Sequence, residues 1–427
     1  MPPKASNRDT ARIKRQPRLD ALRGVAILLV LGRHYLILPT WRLIGWCGVD
    51  LFFVLSGFLV SSLIFREYQA QGHINLKNFW LRRTVRIGPP FLAMLLGSVI
   101  LRTWVGPPFD ASVILPELTW TQNYLPGLWV HTWSLAVEEH FYILLPLLLG
   151  FLLVLSRGGD PERARDPFRP LPWITLAVGL LVLATRILTV LLFPYATRTH
   201  LYPTHLRIDS LLFGVLLAYY YCFHRSRVLD TVGRFKFQIG AMAAVLAIPV
   251  FILPIEHPFM HTVGFTLTYL SAGGAILLAL RDSTPLPWFV PALAYVGRRS
   301  YSIYLWHLTF INCGLAMIQK VPVLSNLPEY VVYLVGSIAL GAALYALIEV
   351  PTNSLRDWIQ NRRTPKPFSL RTESKDLLVE RIGPEPILSY SATPGAHFYS
   401  AQNRTMRASL GAPERLQSVA SDDLYNG

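Results

Sequence analysis

Two basic side chains interrupt the first long apolar stretch of the chain, Arg23 and His34 in RLDALRGVAILLVLGRHYLILPTW. Eleven residues apart, they share one face of a helix, about 16 Å apart along its axis. An ionisable group inside a membrane span is costly and usually faces a protein interior or a watery cavity. A cation near one membrane surface and an imidazole well inside would line a polar path. The competing reading is structural: a snorkelling arginine and a hydrogen-bonded core histidine.

Further residues of the same kind follow. Asp50 opens GVDLFFVLSGFLVSSLIF, and an Asp–His pair would orient an imidazole as a base. Ser56 and Gly57 in its middle read as close helix packing. In FWLRRTVRIGPP, Arg83 and Arg86 fall three apart on one helical face, and planar guanidinium groups suit bidentate phosphate binding. An ordinary basic anchor is the other reading, and Pro89-Pro90 should kink or start the helix. The run HTWSLAVEEHFYILLP sets His131, Glu138 and Tyr142 on one face with Ser134 close by. Glu138 is the interior candidate, and Glu139 faces nearer to water. Arg207 and Asp209 in LRIDSLLFG are candidates that read equally as an interfacial ion pair, and His307 in SYSIYLWH is a candidate that reads more readily as a satisfied core histidine. His257 and His261 have helical metal-ligand spacing, but Pro258 intervenes and no acid accompanies them, so no metal is expected. Cys47, Cys222 and Cys313 are scattered and odd in number, which gives neither a disulfide framework nor a metal knuckle.

The elements that carry these residues follow from composition. The chain is 52% hydrophobic and 15% charged, against about 25% charged in soluble domains, so an all-α polytopic membrane protein is expected. Apolar runs of spanning length fall near 20–38, 46–65, 85–104, 135–155, 173–193, 207–223, 237–254, 262–280, 299–319 and 329–350, which predicts about ten transmembrane helices. Alternate connections hold 20 and 3 Lys/Arg residues, the asymmetry of the positive-inside rule, which puts both termini in the cytoplasm. The net charge of +15 is thereby a topology signal and not a nucleic-acid footprint. Residues 1–18 read as a basic cytoplasmic leader feeding an uncleaved anchor, 19–352 as the transmembrane domain, and 353–427 as a disordered cytoplasmic tail.

Taken in order, Arg23–His34, GVDLFFVLSGF, Arg83–Arg86, WSLAVEEHFY, RIDSLLFG and SYSIYLWH resemble the acyltransferase-3 family, integral-membrane acyltransferases of bacterial surface glycans. The likeness runs from about residue 18 to 350. It implies a fold of roughly ten helices in the bacterial inner membrane and an acyl-CoA donor, most often acetyl-CoA. It also implies a hydroxyl of an envelope carbohydrate or glycolipid as acceptor. Many relatives carry an added periplasmic hydrolase-like domain; with only a short tail after residue 352, the membrane domain is expected to complete transfer alone. On this resemblance Arg83, Arg86 and Arg23 would hold the phosphates of acyl-CoA. His34 would act as base, with Glu138 or Asp50 orienting it, and an acyl-histidine route stays open. The rival reading is a transporter or flippase of a lipid-linked sugar or acyl carrier, since buried Arg, His and Glu also serve proton-coupled transport.

Overall fold

A computed structural model describes residues 16–363, apart from Leu36 and the stretches 105–107, 158–165, 282–284, 319–320 and 322–326. The described residues are helical and contain no strand. The elements are α1 (Pro17–His34), α2 (Pro39–Ile44), α3 (Cys47–Gln71), α4 (Leu76–Trp104), α5 (Ile114–Leu118), α6 (Trp133–Ser156), α7 (Leu171–Leu192), α8 (Thr197–His200) and α9 (Ile208–Phe223). They continue with α10 (Arg225–Arg234), α11 (Lys236–Ile252), α12 (Phe265–Arg281), α13 (Val290–Arg298), α14 (Ser300–Thr309), α15 (Leu315–Ile318), α16 (Glu329–Leu344) and α17 (Val350–Arg363).

Six of these helices, α3, α4, α6, α7, α12 and α16, are long and apolar enough to cross a membrane, and α10 with α11 makes a seventh if that pair, bent by 81°, is one broken span. Among the other expected spans, α1 carries several charges, α9 has 16 residues, and α14 stops at Thr309 before a π-helical turn. The expected tail is helical at its start, since α17 runs on to Arg363; residues 364–427 and the leader up to residue 15 lie outside the described residues.

Helix α3 is the most enclosed of the six, as expected of a helix apolar on all sides. It packs most extensively on α9, and also against α1 and α12. The α3–α9 crossing depends on two glycines: a Cβ on Gly57 would collide with the Leu211 carbonyl, and one on Gly214 with the Val54 carbonyl. Helix α1 meets α13 in the same way, with Gly24 against the Leu293 carbonyl and Gly297 against that of Asp20. Such close backbone approach is how apolar helices associate where no hydrophobic effect drives them together. Helix α7, by contrast, leaves Trp173, Leu180, Leu181, Leu188 and Leu191 exposed, the surface a lipid-facing helix presents.

The segment between α4 and α6 is fastened by one carboxylate. Glu117, fully buried on α5, accepts hydrogen bonds from the backbone N–H of Leu128 and Trp129 and from the Thr132 hydroxyl, at 2.9, 3.4 and 2.8 Å. Burial pushes this carboxyl up to about 7, outweighing those bonds, which favour the ionised form. A raised carboxyl holds its proton more tightly in the folded chain than in the unfolded one. Its contribution to stability is therefore full below the unfolded value of 4.5 and is lost as pH rises through about 7. Thermal unfolding of Glu117→Gln should accordingly vary less across that window than unfolding of the unaltered protein.

Candidate functional site

Thirteen residues singled out in the sequence, His131 among them, fall into three groups. The first lines a cavity of about 880 Å³, counting its open mouth. Arg23 of α1, Arg83 and Arg86 of α4, and Ser134, Glu138, Glu139 and Tyr142 of α6 all face it. Tyr142 donates to Glu138 Oε2 at 2.6 Å, and Ser56 of α3 is hydrogen-bonded to the same phenol. With the phenolic proton committed to Glu138, the Ser56 hydroxyl is the donor in that second bond. The Arg83 guanidinium lies 3.7 Å from the centroid of the Tyr142 ring, a cation–π contact. Its Nε is buried without a hydrogen-bond partner. Arg82, one residue earlier, turns away to Glu67 at 2.6 Å, so its charge is spent on the 67–82 hairpin. Pro89 and Pro90 sit inside α4 and not at its start. Lacking N–H groups, they leave the Val85 and Arg86 carbonyls without helical donors, which loosens the helix beside the cavity.

Opposite α6, Tyr301 and Tyr304 of α14 complete the wall. Tyr301 donates to the Ile87 carbonyl at 3.0 Å, and Tyr304 donates to the His131 carbonyl at 2.6 Å. Ser134 Oγ lies 2.5 Å from the Tyr304 hydroxyl; that hydroxyl's proton goes to His131, so serine donates. Glu349, turned inward by a π-helical turn over Tyr345–Glu349, accepts from the backbone N–H and hydroxyl of Ser302 at the start of α14. It is also within electrostatic range of Arg86 and Arg23.

The second group lies behind Tyr304 and consists of histidines. The rings of His34 and His307 are 4.9 Å apart between centroids, and those of His307 and His131 4.7 Å. The Tyr304 ring stands 5.2 Å from His131 and 5.7 Å from His307. His34 does not sit well inside a helix, as its place in the apolar run implied. It is the last residue of α1, after which Tyr35 is extended and Pro39 opens α2. His131 precedes α6 in a 3₁₀ turn over Val130–Thr132, which detaches it from the face of Glu138 and delivers it to His307.

The third group is a buried pair of ion pairs. Arg207 Nη2 donates to Asp50 Oδ1, and Arg186 Nη2 to Asp209 Oδ1, each at 2.7 Å, with all four side chains at most 3% exposed. Arg186 was not singled out in the sequence, although a lone charge within the apolar run 173–193 was its signal. The structure brings neither Asp50 nor Glu138 to His34, contrary to the expectation that one of them orients the imidazole. Asp50 is held by Arg207, and Glu138 by Tyr142. Removing one partner of a buried ion pair costs about 3–5 kcal/mol, because it strands the other charge. Asp50→Leu should therefore depress the unfolding temperature of the purified protein strongly, and Asp50→Leu with Arg207→Met should recover much of that loss.

Among the described residues, no group of three or more His, Cys, Asp or Glu side chains is arranged to hold a metal. The molecule is thus a helical membrane protein with a polar cavity, three arginines on its wall, and a histidine cluster behind that wall. The acyltransferase-domain model of the acyltransferase-3 family matches residues 16–346, and the chain belongs to that family. It is similar to the peptidoglycan O-acetyltransferase OatA of Listeria monocytogenes, 27% identical over 371 residues that cover 80% of this chain and 57% of the relative. It is likewise similar to the O-acetyltransferase OatA of Staphylococcus aureus, 28% identical over 367 residues covering 78% and 57%. The chain thus matches less than two thirds of the length of these relatives. No solved structure matches it.

Proposed function

We propose that this chain is a membrane O-acyltransferase. It moves an acyl group, acetyl in the first instance, from cytoplasmic acyl-CoA to a hydroxyl of an envelope carbohydrate or glycolipid in the bacterial cytoplasmic membrane. The observation that carries the reading is the cavity: three arginines face it, and so do Ser134 and Tyr304, whose ring touches those of His131 and His307. A donor with phosphates at one end and a thioester at the end of a thin arm fits that sequence of surfaces. The O-acetyltransferase names of the relatives support the reading.

In this reading about ten spans place both termini and the arginine end of the cavity in the cytoplasm, in keeping with 20 against 3 basic residues in alternate connections. Arg83, Arg86 and Arg23 bind the phosphates through charge-assisted hydrogen bonds. Glu138 fixes Tyr142, on whose ring Arg83 rests. The thioester passes the Ser134–Tyr304 pair and the rings of His131 and His307 next to it to reach His34. There Nε2 takes the proton of an acceptor hydroxyl as oxygen attacks the thioester carbonyl; the C–S bond breaks and the proton passes to the leaving thiolate. A donor confined to one side thereby modifies an acceptor on the other without crossing the membrane whole.

Mass spectrometry of envelope glycans tests the assignment. Cells that carry the gene should show acyl esters that are missing when it is deleted and when it is replaced by His34→Ala. An unchanged ester pattern in the deletion would overturn it.

A further inference from the structure

We infer that His307 is the positioning residue of His34: it orients the imidazole and shares its charge, the task the sequence had offered to a carboxylate. The inference rests on the reading of His34 as the base and deepens it.

A carbonyl oxygen only accepts, so a ring nitrogen at hydrogen-bond distance from one carries the proton. His307 Nδ1 is 2.7 Å from the Tyr304 carbonyl, which fixes the proton on Nδ1 and leaves Nε2 bare in the neutral ring. That bare Nε2 is 3.3 Å from His34 Nδ1. His34 Nδ1 is itself 2.9 Å from the Val30 carbonyl and so carries its proton, shared between Val30 and His307. The opposite tautomer at His307 would set an unprotonated Nδ1 against the Tyr304 oxygen. One assignment satisfies every contact, and it leaves the His34 Nε2 lone pair without a hydrogen-bond partner among the described residues.

The surroundings favour a neutral partner. His307 and His131 are buried, and His131 Nε2 faces the Leu305 carbonyl at 3.3 Å while its Nδ1 has no partner. Among the described residues no carboxylate is hydrogen-bonded to any of the three rings. A buried carboxylate would carry its own desolvation cost. A neutral imidazole avoids that cost and still offers a lone pair to a charged Nδ1–H. When His34 Nε2 takes the acceptor proton, the positive charge strengthens the Nδ1–H bond to His307. When the proton leaves for the CoA sulfur, both rings return to their starting tautomers.

The test uses the full chain in inside-out membrane vesicles given radiolabelled acetyl-CoA, with label in the macromolecular fraction as the readout. His307→Phe keeps a ring of similar size but no acceptor, and His307→Gln restores an acceptor near the Nε2 position. The expected result is a fall in kcat of about a hundredfold for His307→Phe with KM for acetyl-CoA unchanged. His307→Gln should recover to within about tenfold of the unaltered rate, from the hydrogen bond it restores. An unaltered rate in His307→Phe overturns the inference, and so does equal loss in the two variants, which would mark a packing role. His34→Ala in the same assay separates the two layers. An active His34→Ala sinks the base reading itself; an inactive His34→Ala beside an active His307→Phe sinks only the role of His307.

Discussion

Replacing His34 with alanine is expected to lower acyl transfer by about a thousandfold or more, while the protein still inserts and folds. The size follows from the task. A positioned base contributes about 10²- to 10⁴-fold, and the lone pairs that remain, His307 Nε2 and His131 Nδ1, belong to buried rings displaced from the position of His34 Nε2. Folding should survive because His34 ends α1, is only partly buried, and holds no charge partner whose removal strands an ion. Its lost contacts are the Val30 carbonyl and His307 Nε2. KM for acyl-CoA should change little, since the arginines proposed to bind the donor lie on other turns and other helices. Titrating acetyl-CoA against the purified variant separates kcat from KM, and near-normal turnover would remove His34 from the reaction.

The opposite split is expected at the arginines. Arg83→Gln with Arg86→Gln should raise KM for acyl-CoA by about a hundredfold or more, leaving kcat at saturation within a few-fold. Charge-assisted hydrogen bonds contribute about 1.5–3 kcal/mol each, and about 1.4 kcal/mol is a factor of ten in affinity. Arg82→Gln is the internal control. It neighbours Arg83 in sequence, but its guanidinium is held by Glu67, so its loss should leave KM nearly unchanged. Equal effects of all three substitutions would reduce the cluster to a general basic surface.

The sequence carried the elements well because apolar length and charge asymmetry are local quantities. Each of the ten apolar runs contains a helix, six of them, or seven with the bent pair, long and apolar enough to span, and Gly57 lies at a close crossing with α9. Grouping the polar residues needed the fold. Asp50 lies sixteen residues from His34 in a neighbouring helix, yet its partner is Arg207, brought to it by the glycine crossing of α3 and α9. His131 shares a helical period with Glu138, but the 3₁₀ turn before α6 sends it elsewhere. Helix α1 ends at His34 although the apolar run continues, so hydropathy did not mark the end of the helix. Tyr301 and Glu349 escaped notice because a cavity wall and a π-helical turn have no period in the sequence.

Sidedness of transfer tests the central claim most directly. Inside-out vesicles of producing cells, given labelled acetyl-CoA in the medium, expose the cytoplasmic face to the donor and enclose the envelope-facing acceptor. The account predicts alkali-labile label on glycan inside the lumen, dependent on His34, with free CoA released outside. Glycan that stays unlabelled while unmodified solute accumulates in the lumen would contradict it and point to transport.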